Sequence, residues 1–167
     1  MIELRLVNLE DVAEEFRAVT GLPADENGFN NEFVGISFED FVAHGVTRLI
    51  ANHHGEQLPS GYVPYSVYFL WDDDKIVGVF HFRHYLNEAL RRCGGHIGYA
   101  ILPEYRGQGY ATKGLELLLA EVRDKVIEDE IYIDAHKDNL ASQRVALKNG
   151  AYIDHEDDDT VYMRIPK

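Results

Sequence analysis

The sequence predicts an α/β (α+β) fold, a mixed and mostly antiparallel sheet of about seven strands flanked by about four helices. Three observations support this class. Short runs rich in β-branched and aromatic residues alternate with polar turns. Longer segments repeat apolar residues at helical spacing. One such helix directly follows a short strand, which indicates a βαβ unit inside the sheet. With 167 residues, 46% of them hydrophobic, we expect a single domain over residues 1–167.

The first half of the chain predicts one strand and two helices. Residues 2–7 alternate apolar and polar side chains, as a half-buried strand does. Asn8 can cap a first helix, and Ser37 can cap a second that ends before Gly55. Residues 21–31 are rich in Gly, Pro and Asn, so we expect a loop there. This loop is either a plain connection or a wall of an acceptor pocket.

The second half predicts the rest of the sheet. A hairpin across an acidic turn comes first, a βαβ unit follows, and a final hairpin ends the chain. The predicted strands are residues 66–71, 76–85, 97–102, 130–135, 152–153 and 160–165, and the predicted helices are residues 87–93, 111–126 and 139–150.

The turn between residues 97–102 and the long helix predicts an anion site. Pro103 ends the strand, and Gly107 and Gly109 precede the helix. The first turn of a helix exposes unpaired backbone N–H groups at its positive dipole end. Arg106 adds a guanidinium suited to phosphate. No Gly-Lys-Ser/Thr or three-glycine dinucleotide fingerprint is present, so the turn predicts a pyrophosphate cradle of another kind.

Two motifs carry a family resemblance. Arg106-x-x-Gly109-x-Ala111 resembles the acetyl-CoA-binding signature of the GNAT N-acetyltransferases. One strand and one helix later, Asn139-x-x-Ser142 and the segment 148–152 resemble the family's second motif. The order of elements is similar to the GNAT fold over nearly the whole chain. The version with Ser142 is similar to the branch of ribosomal-protein N-terminal acetyltransferases, and the segment 83–99 to a group of predicted bacterial acetyltransferases.

The resemblance implies an acetyl-CoA-dependent enzyme that transfers an acetyl group to a primary amine by direct attack in a ternary complex. A central strand would pair with the pantetheine arm, and the cradle would hold the pyrophosphate. The residues implied in binding are Tyr99, Ala100, Ile101, Arg106, Gly107, Gln108, Gly109, Tyr110, Ala111, Thr112, Asn139 and Ser142.

The catalytic residues depart from the family pattern. Many members carry a tyrosine, the general acid for the CoA thiolate, where this chain has Ala146. The Ser142 hydroxyl is therefore the predicted acid. His96 is the predicted base, because histidine titrates at about pH 6.5; the alternative is a structural histidine. The same two interpretations apply to His81 and His84. The loss of the tyrosine also suggests an alternative function, a non-catalytic acyl-CoA-binding or sensing module.

Charge and composition limit the other classes of function. The net charge of −13 argues against nucleic acid as a partner and is compatible with a cationic amine. The one cysteine excludes an internal disulfide and, with no apolar run of membrane length or signal peptide, predicts a cytoplasmic protein. The adjacent His53 and His54 lack metal-ligand spacing, so no metal is expected. A homodimer is compatible with the sequence, and the acceptor and acyl-chain length stay open.

Overall fold

The computed structural model describes residues 1–167 and contains nine strands and six α-helices. A π-helical turn, Phe41–Gly45, joins α2 to α3, and two 3₁₀ turns cover Pro103–Tyr105 and Arg123–Lys125. In chain order the elements are β1 Ile2–Leu6, α1 Val12–Thr20, β2 Asp25–Glu26, β3 Phe29–Asn30, α2 Phe38–Asp40, α3 Val46–His53, β4 Tyr65–Asp72, β5 Lys75–Arg83, α4 Glu88–Arg92, β6 Ile97–Ile101, α5 Tyr110–Val122, β7 Glu130–His136, α6 Leu140–Lys148, β8 Tyr152–Glu156 and β9 Thr160–Pro166.

The strands form two main sheets and one small hairpin. Four strands pair in the order β1-β4-β5-β6, and three in the order β7-β9-β8. Every paired ladder is antiparallel. The α/β class with seven long strands is therefore confirmed. The expected loop at residues 21–31 is wrong in part, because β2 and β3 form a hairpin there around Asn27 and Gly28.

Two apolar clusters hold the helices against the four-stranded sheet. On one face, Phe80 of β5 packs with Leu115 of α5. On the other face, Phe69 of β4 packs with Ala18 of α1 and Leu49 of α3. These side chains are at most 2% exposed. Burying a large apolar side chain contributes about 1.5–3 kcal/mol, so both faces of this sheet carry substantial stabilisation.

The two main sheets meet at one point. The N–H of His96, just before β6, donates to the carbonyl of Tyr132 in β7 at 2.8 Å. The N–H of Tyr132 donates in return to Nδ1 of His96 at 2.9 Å. Gly95 lies against this junction with φ +59°, and a Cβ there would sit 2.4 Å from the Tyr132 oxygen. Beyond the junction β6 and β7 belong to separate sheets, which leaves a gap between them.

Candidate active site

The gap between β6 and β7 exposes backbone groups of β6. The Arg83 N–H donates to the His96 carbonyl at 2.7 Å. Since inter-strand hydrogen bonds alternate along an antiparallel pair, the N–H and C=O groups of Tyr99 and Ile101 point away from β5, into the gap. The Ile101 carbonyl accepts a hydrogen bond from Arg106 Nε at 3.0 Å, in agreement with this direction. The gap can therefore receive an extended amide-containing chain.

A cavity of about 1280 Å³ runs through this gap. It is lined by every predicted binding residue except Gln108, whose side chain instead donates to the Glu104 carbonyl at 3.3 Å. Ala100 lies between the two outward-facing positions and pairs with Val79 of β5. Its side chain therefore contributes to the cavity wall, while its backbone groups belong to the sheet.

The predicted cradle forms at the start of α5. Gly107 and Gly109 adopt φ of +74° and +86°, a left-handed conformation that favours glycine. Gly109 precedes the helix, no side chain caps it, and the first turn contains no acidic residue. The first N–H groups of α5 consequently lack intrahelical partners, and they lie at the positive end of the helix dipole. These observations fit a pyrophosphate group.

Arg106 is not free beside the cradle. Its two terminal nitrogens contact the two carboxylate oxygens of Glu26 at 2.8 and 2.9 Å. This bidentate pair ties the β2–β3 hairpin to the cradle. The Arg106 guanidinium must therefore be shared with Glu26 if it contacts a phosphate.

Three side chains from α6 and β6 meet on the cradle side of the gap. Asn139 caps α6, its Oδ1 accepting the Ser142 N–H at 3.2 Å. The Ser142 Oγ lies 3.0 Å from the Tyr99 hydroxyl. Burial raises the pKa of Tyr99 to about 12, so this phenol stays protonated at neutral pH. The Asn139 amide nitrogen is left free to donate to a ligand carbonyl.

Ala146 lies in the core and not at the cavity. It is fully buried in the core between α6 and the sheet and does not line the cavity. Ser142 and Tyr99 both line the cavity, and their hydroxyls lie together beside β6.

The structure does not support His96 as a base. The side chain is fully buried and does not line the cavity. Nδ1 accepts the Tyr132 N–H, and Nε2 lies 2.9 Å from Glu128 Oε2. Burial lowers the pKa of His96 against the opposing effect of Glu128. With both nitrogens occupied, His96 has no lone pair for a substrate and instead joins the two sheets.

The half of the cavity opposite the cradle has a different character. Phe29 of the hairpin and Tyr65 of β4 flank the His81 ring, with ring centroids 4.9 and 6.2 Å away. Arg83 donates to the Gly94 carbonyl at 3.1 Å. This half is mainly aromatic. Glu32 and Asp134 are acids of the cavity lining outside the cradle, and burial raises the pKa of Asp134.

Two cations on α6 were not among the site residues predicted from the sequence. Arg144 and Lys148 are exposed, line the cavity and form no ion pair. Their spacing of four residues on a helix places them on one face. The predicted order of elements also places this helix next to the cradle. From the spacing and the order together, a second phosphate contact could have been predicted.

Comparisons with known proteins agree with this geometry. The family model described as an acetyltransferase (GNAT) domain matches residues 2–152. No protein of curated function matches the sequence significantly.

Three solved structures share the fold over almost the whole chain. The RimL ribosomal L7/L12 alpha-N-protein acetyltransferase in complex with CoA is 22% identical, with TM-score 0.69, over 98% of this chain and 92% of that one. The microcin C7 self-immunity acetyltransferase MccE, in complex with acetyl-CoA and AMP, is 18% identical with TM-score 0.70, over 99% and 92%. The ribosomal-protein-S5-alanine acetyltransferase from Vibrio fischeri is 15% identical with TM-score 0.69, over 99% and 92%.

The fold and the cradle define an acyltransferase that uses a CoA thioester. The chain belongs to the GNAT acetyltransferase family, since the family model covers most of its length. Acetyl-CoA is the co-substrate of this class. None of the helices has the length and apolar character needed to cross a membrane. The structure gathers no group of three or more His, Cys, Asp or Glu side chains that could hold a metal ion.

Proposed function

We propose that this protein transfers the acetyl group of acetyl-CoA to a primary amine of a protein, a peptide or a small molecule, by direct attack in a ternary complex. One observation carries the proposal. The gap between β6 and β7 joins the uncapped start of α5 to the aromatic half of the same cavity. The two substrates can therefore meet inside the protein, with no need for a covalent acyl-enzyme intermediate.

The residues on the cradle side would bind acetyl-CoA and position its thioester. Backbone N–H groups from Gly107 to Thr112 would hold the pyrophosphate. Tyr99 and Ile101 would pair through their backbone with the amide-containing arm, and Asn139 would donate to it. Acetyl-CoA supplies the thioester that is consumed. Backbone N–H groups in the gap would stabilise negative charge on its carbonyl oxygen.

We assign the general acid to the hydroxyl pair of Ser142 and Tyr99. The two oxygens are 3.0 Å apart, so a proton given up by one can be replaced from the other. The raised pKa of Tyr99, about 12, keeps the pair protonated at neutral pH. This pair takes the place of the tyrosine that the chain lacks at Ala146.

The test is release of CoA from acetyl-CoA in the presence of an amine panel. The panel contains a peptide with a free N-terminal alanine, a peptide with a free N-terminal serine, and spermidine. The serine and alanine peptides follow from the acceptors named for two solved structures similar to this chain, and spermidine follows from a third. We expect amine-dependent CoA release, with an added mass of one acetyl group on the product.

The alternative is a module that binds acyl-CoA without turnover, and the buried Ala146 is the observation in its favour. One combination of results would separate the two functions. Tight CoA binding by calorimetry, no acetylated product from any amine, and no effect of Ser142→Ala would support the binding module and reject the enzyme.

A further inference from the structure

The aromatic half of the cavity contains His81, an imidazole whose ring nitrogens are free. His81 lies on β5, is half-buried and lines the cavity. Neither ring nitrogen makes a hydrogen bond with a protein atom. The one buried side-chain polar atom without a partner is Glu15 Oε2, so the His81 nitrogens open onto the cavity and are not enclosed by protein.

Three nearby histidines are occupied by protein partners, and His136, which also lines the cavity and makes no side-chain hydrogen bond, is exposed at the end of β7. His53 and His84 share the Ser66 hydroxyl at 2.6 and 2.7 Å. His96 is held between the Tyr132 N–H and Glu128. His81 is thus a half-buried histidine whose two ring nitrogens are both available to a substrate.

The strand opposite His81 leaves room for that substrate. Gly98 of β6 pairs directly with His81, and residues opposite each other in an antiparallel pair project to the same face. A Cβ built on Gly98 meets nothing within 4 Å. The neighbouring Tyr99 directs its backbone N–H into the gap where the thioester carbonyl would bind. The empty space beside His81 therefore lies next to the proposed reaction centre.

We infer that His81 is the general base that takes a proton from the acceptor amine, and that the space over Gly98 is where the amine nitrogen sits. This inference rests on the proposed function. Phe29 and Tyr65 hold the imidazole in place by contact with its ring. Burial lowers the pKa of His81, so the ring is neutral at neutral pH and its lone pair is available. Because the same shift makes it a weaker base, it takes the proton as the bond from nitrogen to carbon forms, when the nitrogen becomes acidic.

The proton balance of the step is complete. The amine nitrogen forms a bond to the acetyl carbon, the bond from that carbon to sulfur breaks, and the electron pair leaves with the sulfur. His81 accepts the proton lost by the nitrogen, directly or through one water. The sulfur receives a proton from the Ser142–Tyr99 pair on the opposite side of the gap. His81 then returns its proton to solvent through the cavity, and the Ser142–Tyr99 pair regains one from solvent, so that the net reaction converts amine and thioester to amide and CoA thiol.

The kinetic test compares His81→Gln with His54→Gln, an exposed histidine outside the cavity. Turnover is measured on the amine panel, and CoA binding by calorimetry. We expect His81→Gln to lower kcat about 100-fold or more, with CoA affinity unchanged, and His54→Gln to match the wild type. Added imidazole should restore part of the turnover of His81→Ala, because it can occupy the vacated space; a structural role predicts no such rescue.

A second test does not depend on turnover. Diethylpyrocarbonate reacts with neutral imidazoles that have an accessible nitrogen, and mass spectrometry locates the modified residue. We expect modification of His81 and none of His96. Modification of His96 with His81 untouched would contradict the assigned environments.

The outcomes separate this inference from the function on which it rests. Full kcat in His81→Gln, or a loss of kcat in Asp134→Asn alone, would overturn His81 as the base and leave the acetyltransferase intact. A wild type that releases no CoA with any amine would instead overturn the proposed function.

Gly98→Val should raise KM for the amine or abolish turnover while CoA still binds, since its side chain fills the amine position.

Discussion

Glu26 and Arg106 form a bidentate ion pair that links the β2–β3 hairpin to the CoA cradle. Both side chains are about two-fifths exposed, at 36% and 41%. Such a pair contributes roughly 0–1 kcal/mol to stability. Its importance lies in charge, because the carboxylate neutralises the one arginine of the cradle motif.

The first prediction concerns CoA affinity. Glu26→Gln should tighten CoA binding by about 2- to 10-fold, because the freed guanidinium gains a charge-assisted contact with phosphate. Arg106→Ala should weaken binding by a similar factor. Calorimetry at two salt concentrations measures both. If Glu26→Gln weakened binding as much as Arg106→Ala, the pair would act by positioning the cradle and not by competing for the cation.

The second prediction concerns the cradle itself. Gly109→Val should abolish CoA binding, because valine is strained at φ +86° and its side chain enters the space above the helix N-terminus. The double variant with Arg106→Ala should bind no better. Far-UV circular dichroism checks that the fold is kept. Tight CoA binding by the double variant would disprove the location of the cradle.

The sequence predicted those parts of the site whose signals are local. The glycines at 107 and 109 and the helix after them are adjacent in the chain, and the structure places them together. The environment of His96 could not be predicted, because its partners, Tyr132 and Glu128, are more than 30 residues away and no sequence pattern pairs them. The hairpin at 25–30 was missed although Asn27-Gly28 is a strong turn signal.

The third prediction separates a structural His96 from a catalytic one. His96→Ala leaves the Tyr132 N–H and the buried Glu128 without this partner, so we expect a loss of about 2–4 kcal/mol in the free energy of unfolding. Urea denaturation measures it. Normal stability combined with lost turnover would return His96 to the active site.

The fourth prediction concerns packing between α5 and the sheet. A Cβ on Gly114 would meet the Phe80 ring at 2.2 Å. Gly114→Ala should therefore destabilise the protein by about 1–3 kcal/mol despite the better helix propensity of alanine. Gly98→Ala is the matched control, because its Cβ meets nothing within 4 Å. Equal unfolding free energies for the two variants would show that the close contact is absent in solution.

The fifth prediction concerns a buried acid on α1. Glu15 is 1% exposed, its Oε1 accepts the Asn8 N–H at 2.9 Å, and its Oε2 has no partner. Burial raises the pKa of Glu15 from 4.5 to about 8. Because the folded pKa lies above the unfolded one, Glu15 favours folding most below pH 4.5, and this contribution is lost as the pH rises through about 8.

Glu15→Gln should remove that pH dependence, since the amide keeps an acceptor for Asn8 and never ionises. Between pH 5 and pH 9 the wild type should lose on the order of a few kcal/mol from this group, and the variant should lose less. Thermal unfolding across the pH range measures the difference. Parallel curves for both proteins would show that the Glu15 carboxylate reaches solvent, in which case its pKa is not raised.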